Sequence, residues 1–200
     1  NFGSVFAEDL SGDVGYTEGD GARDYVRFLD LEAGIGGVDY RSMATKYSRR
    51  FLSSYPDRAI VALYKASGKK KLHLRFSMIP GDDLGVDAVS YGDDGSGTFD
   101  GRLTTVSFAA RFQIVPTGRK AVIKRTSEGI EVSGTDEVKL VLVGATNFDI
   151  TRPSCISPTM DVVAEVKSRV NNVLSKPWKA ILRDHCADFS PFMQRVDLQL

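Results

Sequence analysis

Cysteine, histidine and tryptophan are all scarce in this 200-residue sequence, with two Cys, two His and one Trp. Cys155 and Cys186 are too few for a disulfide framework and stand at no metal-ligand spacing, so no metal site is expected; their pairing with each other is left open. Long apolar runs are also missing. None reaches the ~18 residues of a membrane-spanning helix. Neither sign of charge dominates, because 26 Lys and Arg balance 26 Asp and Glu. A neutral chain offers no field to gather nucleic acid or an anionic membrane surface, and neither is expected as a partner. The cationic run Lys69-Lys70-Lys71 follows Ser67-Gly68 between two strand-like runs and reads as a solvated hairpin turn. There is no Gly-x-Ser-x-Gly, no phosphate-binding loop and no dinucleotide fingerprint, so no cofactor is expected. The sequence opens on Asn1 with no signal peptide, which reads as a trimmed piece of something longer.

What is present is alternation. With 42% apolar residues the chain can bury a core. Tyr25 to Ala66 holds four runs in which apolar and polar residues alternate, as in Leu29 and Leu31 against Phe28, Asp30 and Glu32, or Val38 and Tyr40 against Asp39 and Arg41. A period of two marks strands with one buried face. The breaks fall at Gly34, Gly36 and Gly37, at Met43-Ala44, and at Tyr55-Pro56-Asp57. Connections this short join antiparallel neighbours, since a parallel return needs a crossover of about a dozen residues. Lys71 to Ser77 alternates in the same way and is expected to pair with Ile60 to Ala66.

Residues 80 to 103 carry the turn sequences Pro80-Gly81-Asp82-Asp83 and Asp93-Asp94-Gly95-Ser96-Gly97, flanking a short run from Val86 to Tyr91. Val106 to Ile114 is a long alternating strand, with Ala121 to Arg125 as its expected partner. Gly129 to Val132 reads as a short strand. Glu137 to Ala145 is apolar on both faces at Leu140, Val141, Leu142 and Val143, as a strand between two layers would be. The period then changes: Val162, Val163, Val166, Val170, Val173 and Leu174 recur at helical spacing behind Asp161. Pro177 opens a second helix with Trp178, Ile181, Leu182, His185 and Phe189 on one stripe. Pro191 is expected to end it, and Val196, Leu198 and Leu200 suggest a last β segment. Residues 1–158 thus read as an antiparallel β-sandwich of two sheets, and 159–200 as a helical extension packed on it or leading away.

Candidate chemistry is thin. Asp82-Asp83 and Asp93-Asp94 are adjacent acids in glycine-rich turns, not an acid and base held across a bond about 6.5–9.5 Å wide. The Asp93 to Gly97 loop lacks the alternating ligands and closing glutamate of a calcium loop. Asp184, His185 and Asp188, with Cys186 among them, could form an acid and base pair, but a histidine at the edge of an apolar stripe more often ties a helix to a loop. His73 stands alone on a polar strand face, and Ser154-Cys155 has no base nearby. Tyr16, Tyr25, Tyr40, Tyr47, Tyr55, Tyr64, Tyr91 and Trp178 offer flat faces on which a sugar could stack, with nothing to select one, so no carbohydrate-binding residue is assigned. No catalytic residue is assigned either.

Tyr25, Arg27, Leu29, Asp30, Leu31, Val38, Tyr40, then Tyr47, Arg49, Phe51, Ser53, Pro56, Asp57, Ile60, Val61 and Ala66, form a pattern that resembles the amino-terminal β-domain of family 95 glycoside hydrolases, the inverting α-L-fucosidases and their relatives. Thr135-Asp136-Glu137, Ala145 to Phe148, and His185, Asp188, Phe189, Phe192, Arg195, Val196, Leu198 and Leu200 continue it. The resemblance implies the supersandwich shared with galactose mutarotase-like proteins, a start inside the β-domain that leaves a sheet edge open, and a location in the periplasm or outside the cell. It implies Arg27, Arg49 and Asp57 as buried or half-buried polar links between strands. It also implies a partner, the catalytic helical toroid of the same parent chain, and possibly a fucosylated glycan. This piece alone is then inactive. Two other readings stay open: a free-standing carbohydrate-binding or assembly module, and an aldose epimerase-like enzyme.

Overall fold

The computed structural model describes residues 2–11, 22–86 and 88–195. In chain order its strands are β1 (Gly3–Asp9), β2 (Arg23–Asp30), β3 (Ile35–Ser42), β4 (Thr45–Ser54), β5 (Ala59–Ser67), β6 (Leu72–Pro80), β7 (Ser90–Gly92), β8 (Ser96–Leu103), β9 (Val106–Thr117), β10 (Val122–Arg125), β11 (Ile130–Thr135) and β12 (Glu137–Thr146). Two helices follow, α1 (Val162–Leu174) and α2 (Trp178–Met193). The strands form two antiparallel sheets, a narrow one in the order β1-β6-β11-β10 and a broad one in the order β2-β3-β4-β5-β12-β9-β8-β7. The architecture is mainly β with two helices near the carboxy terminus, as the alternation implies.

Three layers result, and the side-chain periods explain them. Inward-facing residues of both sheets, among them Phe76, Phe108, Phe112, Ile114, Ile130 and Val132, close the first core between the sheets. The opposite face of the broad sheet, with Leu52, Val61, Ala109, Val141 and Val143, meets Val162, Val166, Val170, Val173 and Ile181 of the helices in a second core. The helices therefore lie as a layer against the broad sheet. Each fully buried aliphatic side chain is worth about 1.5–3 kcal/mol, so the valine stripe of α1 suffices to dock it. Asp161 starts that helix by accepting from the N–H groups of Val163 and Ala164, both at 3.0 Å. Strand β12 supplies Leu140 to one core and Val141 and Val143 to the other, which is why its centre is apolar on both faces.

The four runs of the opening stretch fold as the continuous antiparallel meander β2-β3-β4-β5. Two expected pairings are overturned. Strand β5 is flanked by β4 and β12, so both its edges are taken, and the segment after Gly68 crosses to the narrow sheet, where β6 pairs with β1 and β11. Lys69 to Lys71 is accordingly a corner between sheets, not a hairpin turn. Likewise β9 pairs with β8 and β12, while β10 crosses to β11. The run from Val86 to Tyr91 yields only β7, and β8, which the turn residues concealed, fills the place beside β9.

Glycine hides β8 because aromatic rings take the space of its side chains. Gly97 and Gly101 lie opposite Phe112 and Phe108. A Cβ on Gly97 would stand 2.4 Å from the Phe112 ring, and one on Gly101 2.6 Å from the Phe108 ring. Phe28 covers Gly37 on the β2–β3 pair in the same manner. Pro191 does not end α2, which runs on to Met193; so close to the helix end a missing donor removes a single intrahelical bond. The β segment expected at Val196 to Leu200 lies outside the described residues, as does Tyr16.

Candidate functional site

A four-stranded sheet cannot cover an eight-stranded one, and the uncovered ground forms a concavity. It is a groove of about 470 Å³ beside β1, between the two sheets, with Phe2, Val5, Ser53, Tyr55, Ile60 and Leu142 among its walls. Cross-strand pairing sets these positions: Ser53 lies opposite Ile60, and Ile60 opposite Leu142, so all three point to the inner face. Ile60 is still 48% exposed there. Phe2 folds in at one side, with its ring 5.6 Å from that of Phe108 and 5.8 Å from that of Phe99. Arg58 stands in the wall with a left-handed backbone, φ 49°, in the turn closed by its own N–H donating to the Tyr55 carbonyl. The lining contains no Asp, Glu or His, so the groove can hold an apolar or stacking group but supplies no acid and base pair.

The second concentration of polar side chains lies where the helices meet the meander. Asp57, whose side chain is 3% exposed, accepts from Lys176 Nζ at 2.6 Å and from Ser54 Oγ at 2.7 Å. Lys176 also reaches Asp184 at 3.3 Å, and Arg183 holds the same carboxylate at 2.7 Å. The hydrogen bond it donates to Asp57, joined by the one to Asp184, keeps the Lys176 ammonium above its ordinary range, while Arg183 and then Lys176 hold Asp184 below the usual carboxylate range. Lys139 Nζ donates to the carbonyls of Leu174 at 3.3 Å and Lys176 at 2.8 Å, which caps the end of α1. Burial pushes that lysine down. His185, 2% exposed, contacts the Gly34 carbonyl through Nε2 at 3.2 Å and stacks on Phe189 with ring centroids 5.5 Å apart.

These partners are structural. His185 engages the backbone of the β2–β3 turn and not Asp188, and Gly34 must stay bare because a Cβ there would meet Phe189 at 2.8 Å. Cys186 Sγ lies 3.9 Å from the Ala33 carbonyl at the same joint, and both cysteines are free thiols. The network is a seam between helices and sheet: Asp57 links the β4–β5 turn to the segment after α1, where a link between strands is expected, while Arg49, on the inner face of the broad sheet, links β4 to β3 as expected. Arg49 donates to the Tyr40 hydroxyl at 3.2 Å and lies over the Tyr40 and Tyr64 rings. Arg27 departs from expectation: it sits exposed on the edge strand β2.

The adjacent acids remain turn residues. Asp82 and Asp83 open a short 3-10 turn, Asp82–Leu84. Asp94 accepts from Ser96 Oγ at 2.5 Å and pairs with Arg111 at 3.0 Å; burial pushes its carboxyl up, and the bonds from Ser96 and Arg111 outweigh it, leaving it below the usual range. No group of three metal-ligating side chains occurs among the described residues. Of the aromatic candidates, Tyr40, Tyr47 and Tyr64 are core residues, and Trp178 packs against the second core. Tyr91 receives the Met78 N–H on its hydroxyl at 3.1 Å. Tyr25 and Tyr55 alone among the described tyrosines lie open on the surface, and Tyr55 borders the groove. Lys139, Lys176 and the groove wall carry no local sequence signal; only the placement of distant strands joins them.

This layered β-sandwich has polar groups that fasten its layers together and a groove beside β1 whose lining holds no acid. Its lineage is that of carbohydrate-active enzymes: the sequence model described as "Glycosyl hydrolase family 65, N-terminal domain" matches residues 2–151, and the chain belongs to that family. Alpha-L-fucosidase 2 from Arabidopsis thaliana is 23% identical over 206 residues, covering 88% of this chain and 23% of its own length. A solved structure titled putative kojibiose phosphorylase from human microbiome superposes with a TM-score of 0.63 at 8% identity, covering 97% of this chain and 28% of that one. The chain thus spans about a quarter of the length of these relatives. It is an N-terminal β-domain of glycoside hydrolase type, and no helix among the described residues is long and apolar enough to cross a membrane.

Proposed function

We propose that this chain is the non-catalytic β-domain of a family 95-like α-L-fucosidase, and that it supports a separate catalytic helical domain of the same parent acting on fucosylated or related glycans. The observation that carries this reading is the likeness to the plant protein named alpha-L-fucosidase 2, which runs through 88% of the chain. The layout is consistent with it. Residues of the family-like pattern such as Arg49, Asp57 and His185 act as fasteners, and the loop between β12 and α1 presents Phe148 and Ile150, 54% and 79% exposed, as apolar ground for a neighbouring domain. Export to the periplasm or cell exterior, and a division near residue 158 into sandwich and helical extension, belong to the same proposal.

The test is release of L-fucose from a chromogenic α-L-fucoside by the full-length parent and by these 200 residues separately. The parent turns over and the fragment does not. A parent inactive on both α-L-fucosides and α-L-galactosides refutes the substrate assignment. Turnover by the fragment that disappears in His185→Ala refutes the non-catalytic one.

A further inference from the structure

An arginine without a counter-ion stands over the groove beside β1. Arg58 is exposed in its wall, and among the described residues no hydrogen bond or ion pair engages its guanidinium. The acid next to it in the chain, Asp57, is turned the other way. That carboxylate is 3% exposed and held by Lys176 Nζ and Ser54 Oγ, and the Asp57 N–H donates back to Ser54 Oγ at 3.3 Å. The lining supplies no other acid. The bonds that fasten Asp57 also hold the turn, so Arg58 is carried on a fixed elbow. Its backbone there is left-handed, φ 49°, a conformation that suits glycine and strains an arginine. A long cationic side chain sits where glycine would be easier, and it fastens nothing in the fold.

We infer that the groove binds a small organic anion, with one carboxylate or sulfonate held by Arg58 and an apolar body seated along Phe2, Ile60 and Leu142. The guanidinium offers a planar fork of donors to two oxygens of one acid group, and a groove that is partly dry strengthens that pair relative to open water. Beside the charge lies apolar ground. Ile60 and Leu142 are cross-strand partners on the floor, the Phe2 ring closes one side, and Tyr55, 78% exposed, borders the rim. The volume of about 470 Å³ falls in the range of small-ligand sites, roughly 300–1,000 Å³. A sugar fits less well. It asks for a polar partner at almost every carbon, whereas the side-chain hydroxyls of the lining come from Ser4, Ser53, Ser54 and Tyr55, and that of Ser54 is already engaged with Asp57. A cation would meet Arg58 and find no carboxylate.

Fluorescence titration of this chain with anilinonaphthalenesulfonate, an aromatic body bearing one sulfonate, tests the proposal, and its outcome is independent of which sugar the parent cleaves. One saturable site is expected. Decanoate empties it, and decanol does so at least about tenfold less readily, since a charged hydrogen bond contributes on that scale. Arg58→Gln weakens the sulfonate by about tenfold and leaves the affinity for uncharged phenylnaphthylamine unchanged. Ser53→Trp fills the groove and weakens both. Arg58→Gly separates binding from folding: it removes the charge while relaxing the left-handed backbone, so the sulfonate weakens as in Arg58→Gln and the melting temperature stays within about 1–2 °C of wild type. No saturable binding, equal displacement by decanol and decanoate, or an Arg58→Gln protein that binds the sulfonate as wild type does would each overturn the inference. Binding of either probe that survives Ser53→Trp unchanged lies outside the groove and overturns it as well.

Discussion

Replacing Asp57 by alanine tests whether the helical layer is fastened where the structure fastens it. The carboxylate is 3% exposed and takes two short hydrogen bonds, from Lys176 Nζ at 2.6 Å and Ser54 Oγ at 2.7 Å. A fully buried ion pair that loses one member costs about 3–5 kcal/mol. Here the cation is 38% exposed and keeps Asp184 at 3.3 Å, so the loss falls nearer that of a charged hydrogen bond, about 2 kcal/mol. For a domain of this size that is a drop of roughly 4–8 °C in melting temperature. The reverse substitution is the sharper one. Lys176→Met strands the buried carboxylate without its cation and costs at least as much as Asp57→Ala. The double variant recovers part of the sum, because the stranded charge is gone. Urea denaturation of the four proteins gives the coupling directly. Costs that add without coupling, or an Asp57→Ala cost below about 0.5 kcal/mol, would refute the fastener.

Gly97→Ala forces a Cβ against the buried Phe112 ring and should cost about 1–3 kcal/mol in the same assay, whereas Gly36→Ala, with open space around it, should be neutral or mildly stabilising. Asp161→Ala removes the cap of α1 and should cost about 1 kcal/mol, with Asp161→Asn close to wild type. Arg50 holds the Asp39 carboxyl below the usual range, and Asp94 and Asp184 are held there too. Their folded values are depressed, so the stability they lend is present above the ordinary carboxylate value and is lost as pH falls through the folded values. Below about pH 4 the urea midpoint of wild type should fall more steeply than that of Asp39→Asn, and parallel curves would refute the assignment.

Much of the fold is legible in local pattern. The meander from β2 to β5 follows from alternation and short breaks, α1 from its valine stripe, and the central position of β12 from apolar residues on both faces. Partnership between sheets is not legible. Ser67-Gly68 looks like a hairpin turn and turns a corner instead, because β5 is already paired on both edges. Strand β8 reads as turn because its glycines are filled in space by phenylalanines of β9. At the candidate site, Asp57 and Arg49 stand out through the family-like pattern, as does Tyr40, the partner of Arg49, yet Lys176, the partner of Asp57, comes from a distant and unmarked position. The groove has no sequence signature at all, since it arises from the difference in width between two sheets.

The place of β12 between β5 and β9 bears on how the polypeptide is made. A ribosome releases residues 23–67 and 90–117 well before residues 137–146, so the nascent broad sheet waits in two halves with its innermost edges bare. Closure is a late, long-range event that must precede docking of the helices. Synthesis paused or cut short before residue 137 should yield a sticky species that needs chaperone protection, while release beyond residue 146 lets both halves zip together.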